Sequence, residues 1–313
     1  MSTAGAGPFV HPAFFYRSDE EYLAVLVPFV TDGLAAGQPV AVAVPGQRLA
    51  VLRPALGADA DGVTMIDMTE AGRNPGRIIA GVLRRFADAH PDGHVRIVGE
   101  PIWAERTRTE YPACVQHEAL INPAFAGRDV TIVCPYDTTR LPDHVVADAH
   151  ATHPEIWQVD ERRSSDKYDP AGVVDRYNEP LDDGADGTQI LDVTTLGALP
   201  GVRRWVTDRA ALLGLAPGRL PDLELIANEL VVNGIVHGGG SAHVRMWVAD
   251  GHLVCEVSDP GRWTDPLAGR RPPAKGQLSG RGLLLVHGLS DLVRTHTTPS
   301  RTTIRAYLRL DPA

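Results

Sequence analysis

The segment Leu223–Gly240 reads LELIANELVVNGIVHGGG, and its spacing decides how the second half of the chain folds. Glu229, Asn233 and His237 recur every four residues. On an α-helix that spacing places side chains on one face, over about 12 Å. Leu223, Ile226, Ala227, Leu230 and Gly234 mark a second face, apolar and suited to a core. The pattern predicts a helix that carries a carboxylate, an amide and an imidazole in a row, ended by Gly238, Gly239 and Gly240. A solvated polar stripe would show the same spacing, so the residues downstream decide.

Outward from this helix, Gln189–Val193 reads as a strand and Pro200–Leu213 as a helix. His243–Val248 alternates, Asp250-Gly251 is a type I′ hairpin signal, and Leu253, Cys255 and Val257 alternate on the return strand, which ends in Asp259-Pro260-Gly261. Ser279-Gly280-Arg281-Gly282-Leu283 opens a further helix, and two strands close a hairpin around Pro299-Ser300. The outcome expected is an α/β sandwich: an antiparallel sheet with helices on one face.

The order Glu-xxx-Asn helix, Asp-x-Gly after a strand, then Gly-x-Gly-Leu at a helix start resembles the ATP-binding domain of the GHKL superfamily (the Bergerat fold). Within it, the segment is similar to anti-sigma-factor kinases of the RsbW and SpoIIAB type. The resemblance implies ATP and Mg2+ as cofactors. Asp259 would accept from the adenine amine, with Gly261 letting the backbone approach the base. Asn233 would offer a neutral oxygen to Mg2+, and Glu229 would act as general base. Gly280, Arg281, Gly282 and Leu283 would cradle phosphates at the helix start. Residues 262–277 would be the ATP lid. His237 matches a histidine that commonly follows this motif, with a capping role expected. Where the superfamily often has Asp-x-Gly-x-Gly, this chain has Trp263 at the second glycine.

In the first half, Val40–Pro45, Val63–Met68, Val95–Val98 and Val130–Cys134 are short apolar runs that read as buried strands. Glu21–Ala36, Pro75–His90 and Ala113–Ile121 read as helices between them. Strands alternating with helices predict a doubly wound parallel sheet, whose ligands bind beyond the strands' carboxyl ends. Pro45-Gly46-Gln47-Arg48 stands where a phosphate-cradling G-x-x-x-x-G-K-[ST] would be needed, so nucleotide hydrolysis is not expected here. Tyr16, Glu100, Trp103, His117 and Tyr136 are candidates for a small-molecule pocket. His11, His117, His150 and His153 fit no standard metal-ligand spacing.

His11-Pro-Ala-Phe-Phe-Tyr16, Gly99-Glu-Pro-Ile-Trp103, His117-Glu118-Ala-Leu-Ile-Asn122, Cys134-Pro-Tyr-Asp137 and Thr152-His-Pro154 together resemble the MEDS sensory domain of DcmR-type regulators. That resemblance implies a KaiC/RecA-like fold stripped of ATPase function and put to sensing an unknown small-molecule signal. The expected organisation is therefore a sensory domain at 1–158, an acidic Gly- and Pro-containing linker at 159–187 with one ordered piece near Val173-Val174, and an ATPase domain at 188–313.

The bulk numbers agree with two domains: 313 residues, 43% hydrophobic, net charge −9. The negative charge, with no helix-turn-helix or basic patch, argues against direct nucleic-acid binding. Three scattered cysteines suit a reducing cytoplasm, and no apolar run approaches the roughly 20 residues that span a bilayer. The combined resemblance is to an actinobacterial anti-sigma-factor regulatory protein of the RsbA type. It implies a serine/threonine kinase, possible as a homodimer, that sequesters an alternative sigma factor and phosphorylates a STAS-domain anti-anti-sigma partner. Two alternatives stay open. One is a non-catalytic, ligand-gated binding module, which Trp263 favours. The other is a sensor histidine kinase with His117 as phosphoacceptor, against which stands the lack of a dimerising helix pair.

Overall fold

The computed structural model describes residues 9–185, 188–272 and 280–310. The chain divides into two compact units, Met1–Tyr177 and Asn178–Ala313.

The first unit is built on seven strands: β1 (Pro12–Tyr16), β2 (Val40–Val44), β3 (Thr64–Asp67), β4 (Val95–Gly99), β5 (Val130–Asp137), β6 (Glu155–Trp157) and β7 (Arg162–Ser164). Their order is β3-β2-β4-β5-β1-β6-β7, and every pairing is parallel except that of β6 with β7. The strands expected at Val40, Val63, Val95 and Val130 are β2, β3, β4 and β5. The central strand β1, Pro-Ala-Phe-Phe-Tyr, is buried along its whole length. The helices are α1 (Asp19–Ala35), α2 (Gly46–Leu56), α3 (Met68–Ala71), α4 (Arg85–Ala89), α5 (Tyr111–Phe125), α6 (Asp143–Thr152) and α7 (Pro170–Arg176). Ser18 starts α1: its hydroxyl accepts from the Glu21 N–H at 3.2 Å, and Asp19, Glu20 and Glu21 suit the positive end of the helix dipole. The helix expected over 75–90 is a composite of a 3-10 turn (Pro75–Arg77), a π-helical stretch (Ile79–Arg84) and α4. Tyr22, Leu26, Leu52 and Leu56 of α1 and α2 pack with Phe14 and Tyr16 on one face of the sheet. Val115 and Ala119 of α5 form a second cluster with Ala151 and Val173. Val173 anchors α7, the ordered piece of the presumed linker, which Asp169 caps through the Gly172 N–H.

The second unit holds β8 (Ile190–Val193), β9 (Ala242–Ala249), β10 (His252–Asp259), β11 (Leu292–Thr298) and β12 (Arg301–Arg309), in the order β11-β12-β10-β9-β8, all antiparallel. Asp250 and Gly251 both take positive φ (48° and 71°), as the two-residue hairpin between β9 and β10 requires. The helices α8 (Leu199–Leu212), α9 (Leu220–Val236) and α10 (Gly282–Leu289) cover one face. Val206, Leu223, Ile226 and Leu230 meet Val244, Met246, Cys255 and Ile304 there. The apolar face foreseen for the central helix is thus the core face of α9.

The opposite face of this sheet carries charge. Arg305 Nε lies 2.5 Å from Glu256 Oε2, and Arg245 Nε lies 2.9 Å from Glu256 Oε1. Both guanidinium groups stand over the Trp247 ring, at 4.9 Å and 5.3 Å. Residues 178–184 lie across this face. Asn178 exchanges two hydrogen bonds with the Thr297 backbone, Asp182 pairs with Arg305 at 2.5 Å, and Gly184 packs against the Trp247 ring. Among the described residues no helix is long and apolar enough to cross a membrane.

Glu256 is almost fully buried between two cations, so Glu256→Ala leaves both without their shared counter-charge. The expected cost is about 3–5 kcal/mol, seen as a lower denaturant midpoint for the second unit. Replacing Glu256, Arg245 and Arg305 together by apolar residues of similar volume is expected to recover most of it.

Candidate functional site

In the second unit, Glu229 and Asn233 sit one turn apart on α9, as their spacing predicts. His237 lies just past the helix, where its N–H caps the Asn233 carbonyl at 2.8 Å, and it is exposed. The Gly238 N–H then donates to the carbonyls of Asn233 and Gly234 at 3.0 Å each, and Gly239 and Gly240 turn the chain away at φ 96° and 91°.

Asp259 ends β10 beside this helix terminus. Its Oδ1 accepts from the Gly261 N–H at 2.8 Å. Burial pushes the carboxyl above its ordinary value, and the Gly261 N–H partly offsets that. The fit around it is too tight for side chains: a Cβ on Gly238 would stand 2.2 Å from Asp259 Oδ1, and one on Gly261 would stand 2.5 Å from the Gly238 Cα.

Gly282 opens α10 as expected, and Glu229 faces it; a Cβ on Gly282 would stand 2.2 Å from Glu229 Oε2. Gly280 has φ 82°, and Arg281, whose carbonyl accepts from the Leu285 N–H, is exposed. Ser279 and residues 273–277 of the expected lid lie outside the described residues. Of the remainder, Gly269 packs against Leu283. Trp263 N–H donates to Thr297 Oγ1 at 3.0 Å and its indole N–H to the Asp265 carbonyl.

Asn233, Asp259, Gly261, Trp263 and Leu283 line one cavity of about 220 Å3. Small-molecule pockets run from about 300 Å3 upward, so this volume suits a flat ring system or part of a larger ligand. Two observations suit a nucleotide and its cation. Asn233 Nδ2 is buried and has no hydrogen-bond partner among the described residues, which leaves that N–H for a ligand. The Asp259 carboxylate offers a desolvated acceptor held by a single internal N–H. An amide oxygen such as that of Asn233 is a hard donor of the kind Mg2+ takes.

The five pocket candidates of the first unit do not meet at one point. Successive strand residues face opposite sides of a sheet, and in the β1–β5 register Tyr16 stands beside Asp137 while Phe15 stands beside Tyr136. Tyr16 and Tyr136 therefore lie on opposite faces. Tyr16 belongs with Tyr22, Arg48 and Glu100: the Arg48 guanidinium lies 5.2 Å from both tyrosine rings and pairs with Asp19 at 2.6 Å and Asp137 at 3.1 Å. Arg48 thus neutralises charge at the strands' carboxyl ends, in the turn that lacks a phosphate cradle. Trp103 stacks on Arg106 at 3.8 Å, which donates to the backbone carbonyls of Gly72, Arg73 and Pro101 and pairs with Glu110 at 3.1 Å. His117 is 1% exposed on α5, which removes it as a phosphoacceptor for an incoming kinase domain. A cavity of about 420 Å3 opens instead at the strands' amino ends, lined by Val10, Arg96, Thr131 and Trp157 and by none of the five.

On the Tyr136 side, four buried groups converge that spacing alone did not join: His11, Glu118, Cys134 and His153. Burial, and then His153, hold His11 down at about 4. Their sequence signal was present in the His117-Glu118 and Cys134-Pro-Tyr-Asp137 segments, but a histidine-only count passed over it.

Residues 10–154 match the family model MEDS, the MEthanogen/methylotroph, DcmR Sensory domain. Residues 193–308 match the model of the histidine kinase-like ATPase domain. No curated protein matches the chain. Among solved structures it is similar to the RsbU and RsbW domains of Rv1364c from Mycobacterium tuberculosis, at 25% identity over 40% of this chain and 34% of that chain, with a TM-score of 0.31. The chain thus spans about a third of that relative's length. It is also similar to the SiaB-SiaC complex from Pseudomonas aeruginosa (14% identity, 38% and 88% covered, TM-score 0.32). A third is the histidine kinase AdeS of Acinetobacter baumannii (13% identity, 40% and 68% covered, TM-score 0.25).

Burial holds the Glu100 carboxyl up at about 8, with Arg48 partly opposing. The folded value lies above the unfolded one of about 4.3, so the stability gained by binding this proton is complete below about pH 4.3 and is lost as pH rises through about 8. Denaturant midpoints of the first unit are expected to fall over that window in wild-type protein. Glu100→Gln, neutral throughout, is expected to flatten the slope.

Proposed function

The chain joins a MEDS sensory domain to a histidine kinase-like ATPase domain, and we propose that it is a signal-responsive partner-switching regulator. In this reading the second unit binds Mg2+-ATP, phosphorylates a serine or threonine of a STAS-domain anti-anti-sigma partner, and sequesters an alternative sigma factor. The first unit sets that activity according to a small-molecule signal. Residues 1–158 and 188–313 serve as the two working domains, and a homodimer through the second unit belongs to the same reading. The observation that supports it best is the meeting of Glu229 with the start of α10, while Asn233, Asp259 and Leu283 line one cavity.

Each residue has a stated task. Asp259 accepts a hydrogen bond from the adenine amine in a desolvated setting, where a charged acceptor is strong. Asn233 turns its amide oxygen to the cation without adding charge. Backbone N–H groups at Gly282 and Leu283 face the phosphates, helped by the helix dipole. Glu229 accepts the proton of the partner's hydroxyl as that oxygen becomes a nucleophile. The bound nucleotide supplies the phosphoryl group.

Trp263 favours a second reading. It fills part of the cavity wall where related domains often have glycine, and its backbone and indole are both tied down. A domain so altered could bind partners without turnover.

Calorimetric titration with Mg2+-ATP tests the nucleotide site. Wild type is expected to bind and Asp259→Asn to bind roughly tenfold or more weakly, the loss of one charge-assisted hydrogen bond. A folded wild-type protein that binds no Mg2+-ATP sinks the reading. Affinity should also drop on acidification at a pH above the usual carboxylate value of about 3.9, since burial raises Asp259 and protonation removes the acceptor. Glu229→Gln separates the two readings. Kinase action predicts transfer to a STAS partner reduced about 10²–10⁴-fold with ATP affinity kept; a binding module predicts unchanged output.

A further inference from the structure

Four donor groups from four separate elements meet inside the first unit. His11 precedes β1, Glu118 lies on α5, Cys134 in β5, and His153 follows α6. All four are fully buried, and one donor atom from each lies within 4.8 Å of the others. Glu118 Oε2 is 3.4 Å from His11 Nε2 and 3.3 Å from His153 Nε2. Cys134 Sγ is 3.4 Å from His11 Nε2 and 3.5 Å from Glu118 Oε2. Bonds of about 2.0–2.3 Å to a tetrahedral ion space its ligands by about 3.3–3.6 Å, which is the spacing of these four edges.

The hydrogen bonds behind the cluster fix both imidazoles. Asn122 Nδ2 donates to the carbonyls of Thr152 at 2.8 Å and Ala119 at 3.1 Å, so its Oδ1 is the atom that faces His11 Nδ1 at 3.1 Å. His11 Nδ1 must therefore carry the hydrogen. His153 Nδ1 lies 2.9 Å from the Ala149 carbonyl and 2.9 Å from Thr152 Oγ1; the carbonyl can only accept and the Thr152 hydroxyl donates to the Asp148 carbonyl at 3.0 Å, so His153 Nδ1 carries one too. In a neutral imidazole the other nitrogen then holds a lone pair. Both lone pairs face the same carboxylate oxygen, and all three side chains are fully buried. That arrangement is repulsive when empty and becomes coordination when one cation stands at its centre. A ligating histidine whose second N–H is bound to a carbonyl is the usual support of such a site.

We propose that His11, Glu118, Cys134 and His153 form a closed binding site for a divalent transition metal ion, with Zn2+ the best match. Two imidazoles, a thiolate and a carboxylate suit a borderline ion, whereas Mg2+ and Ca2+ require oxygen donors throughout. The ion would tie the start of β1 to α5, β5 and the end of α6. This inference does not depend on the nucleotide reading of the second unit.

Full-length protein stripped with a chelator and titrated with Co2+ provides the test. One equivalent is expected to bind, with the strong visible absorption of tetrahedral cobalt and a thiolate-to-cobalt charge-transfer band. Cys134→Ser should lose that band, while Cys114→Ser and Cys255→Ser keep it. Asn122→Ala, which removes the acceptor behind His11 Nδ1, should weaken uptake about 10–100-fold. Circular dichroism checks that each variant is folded. If Cys134→Ser does not fold, the band retained in the other two cysteine variants still identifies Cys134, since the chain has three cysteines. A folded wild-type chain that takes up no cobalt, or a spectrum that Cys134→Ser leaves unchanged, overturns the proposal: the cluster is then a polar network held by protons alone.

Discussion

The candidate nucleotide site depends on one steric contact, between the end of α9 and the end of β10. Gly238 and Gly261 approach so closely that neither has room for a Cβ, and a Cβ on Gly234, one turn earlier, would stand only 3.0 Å from the Ala242 Cβ. Because the backbones touch, Asp259 is drawn over the last turn of α9 and is partly desolvated there. The same approach sets it beside Asn233 across one cavity. A single methyl group at this contact would push the strand from the helix and separate the two polar groups. Glycine here acts through what it leaves out, more than through the freedom of its backbone.

The sheet of the second unit meets a different demand on its other face. Period-2 alternation puts Arg245, Trp247, Glu256 and Arg305 on the side that no helix covers. Residues 178–184 lie over these side chains and satisfy them, so the charged groups are buried yet paired. The sequence 159–187, polar and poor in periodicity, reads as a linker because nothing local reveals such pairing. Its pieces fold onto whichever unit offers a partner: β7 against β6 and α7 through Val173 in one, Asp182 through Arg305 in the other.

What was legible in the sequence was local. The α9 stripe, the Asp250-Gly251 hairpin and the strands β2 to β5 all carry periodicity or turn chemistry within a few residues. Glu229, Asn233, Asp259 and Gly282 could be named because each sits in a short motif, and the fold brings them together. The first unit resisted for the opposite reason. Tyr16 and Tyr136 are each apolar-rich strand residues near a carboxyl end, but one step of register puts them on opposite faces. His11, Glu118, Cys134 and His153 are spread over most of the unit, and only the tertiary fold makes them neighbours.

The place of β1 has a consequence for how the chain is made. It is the first strand translated, yet it lies inside the sheet between β5 and β6, and Phe14 pairs with Pro135 about 120 residues later. At synthesis rates of about 5–20 residues per second, roughly 6–24 s pass before its partner exists. During that time Pro-Ala-Phe-Phe-Tyr, a strand buried along its whole length in the finished unit, has α1 and α2 to pack on but no β5 to pair with. The nascent first unit is therefore expected to benefit from a chaperone's shelter until β5 emerges.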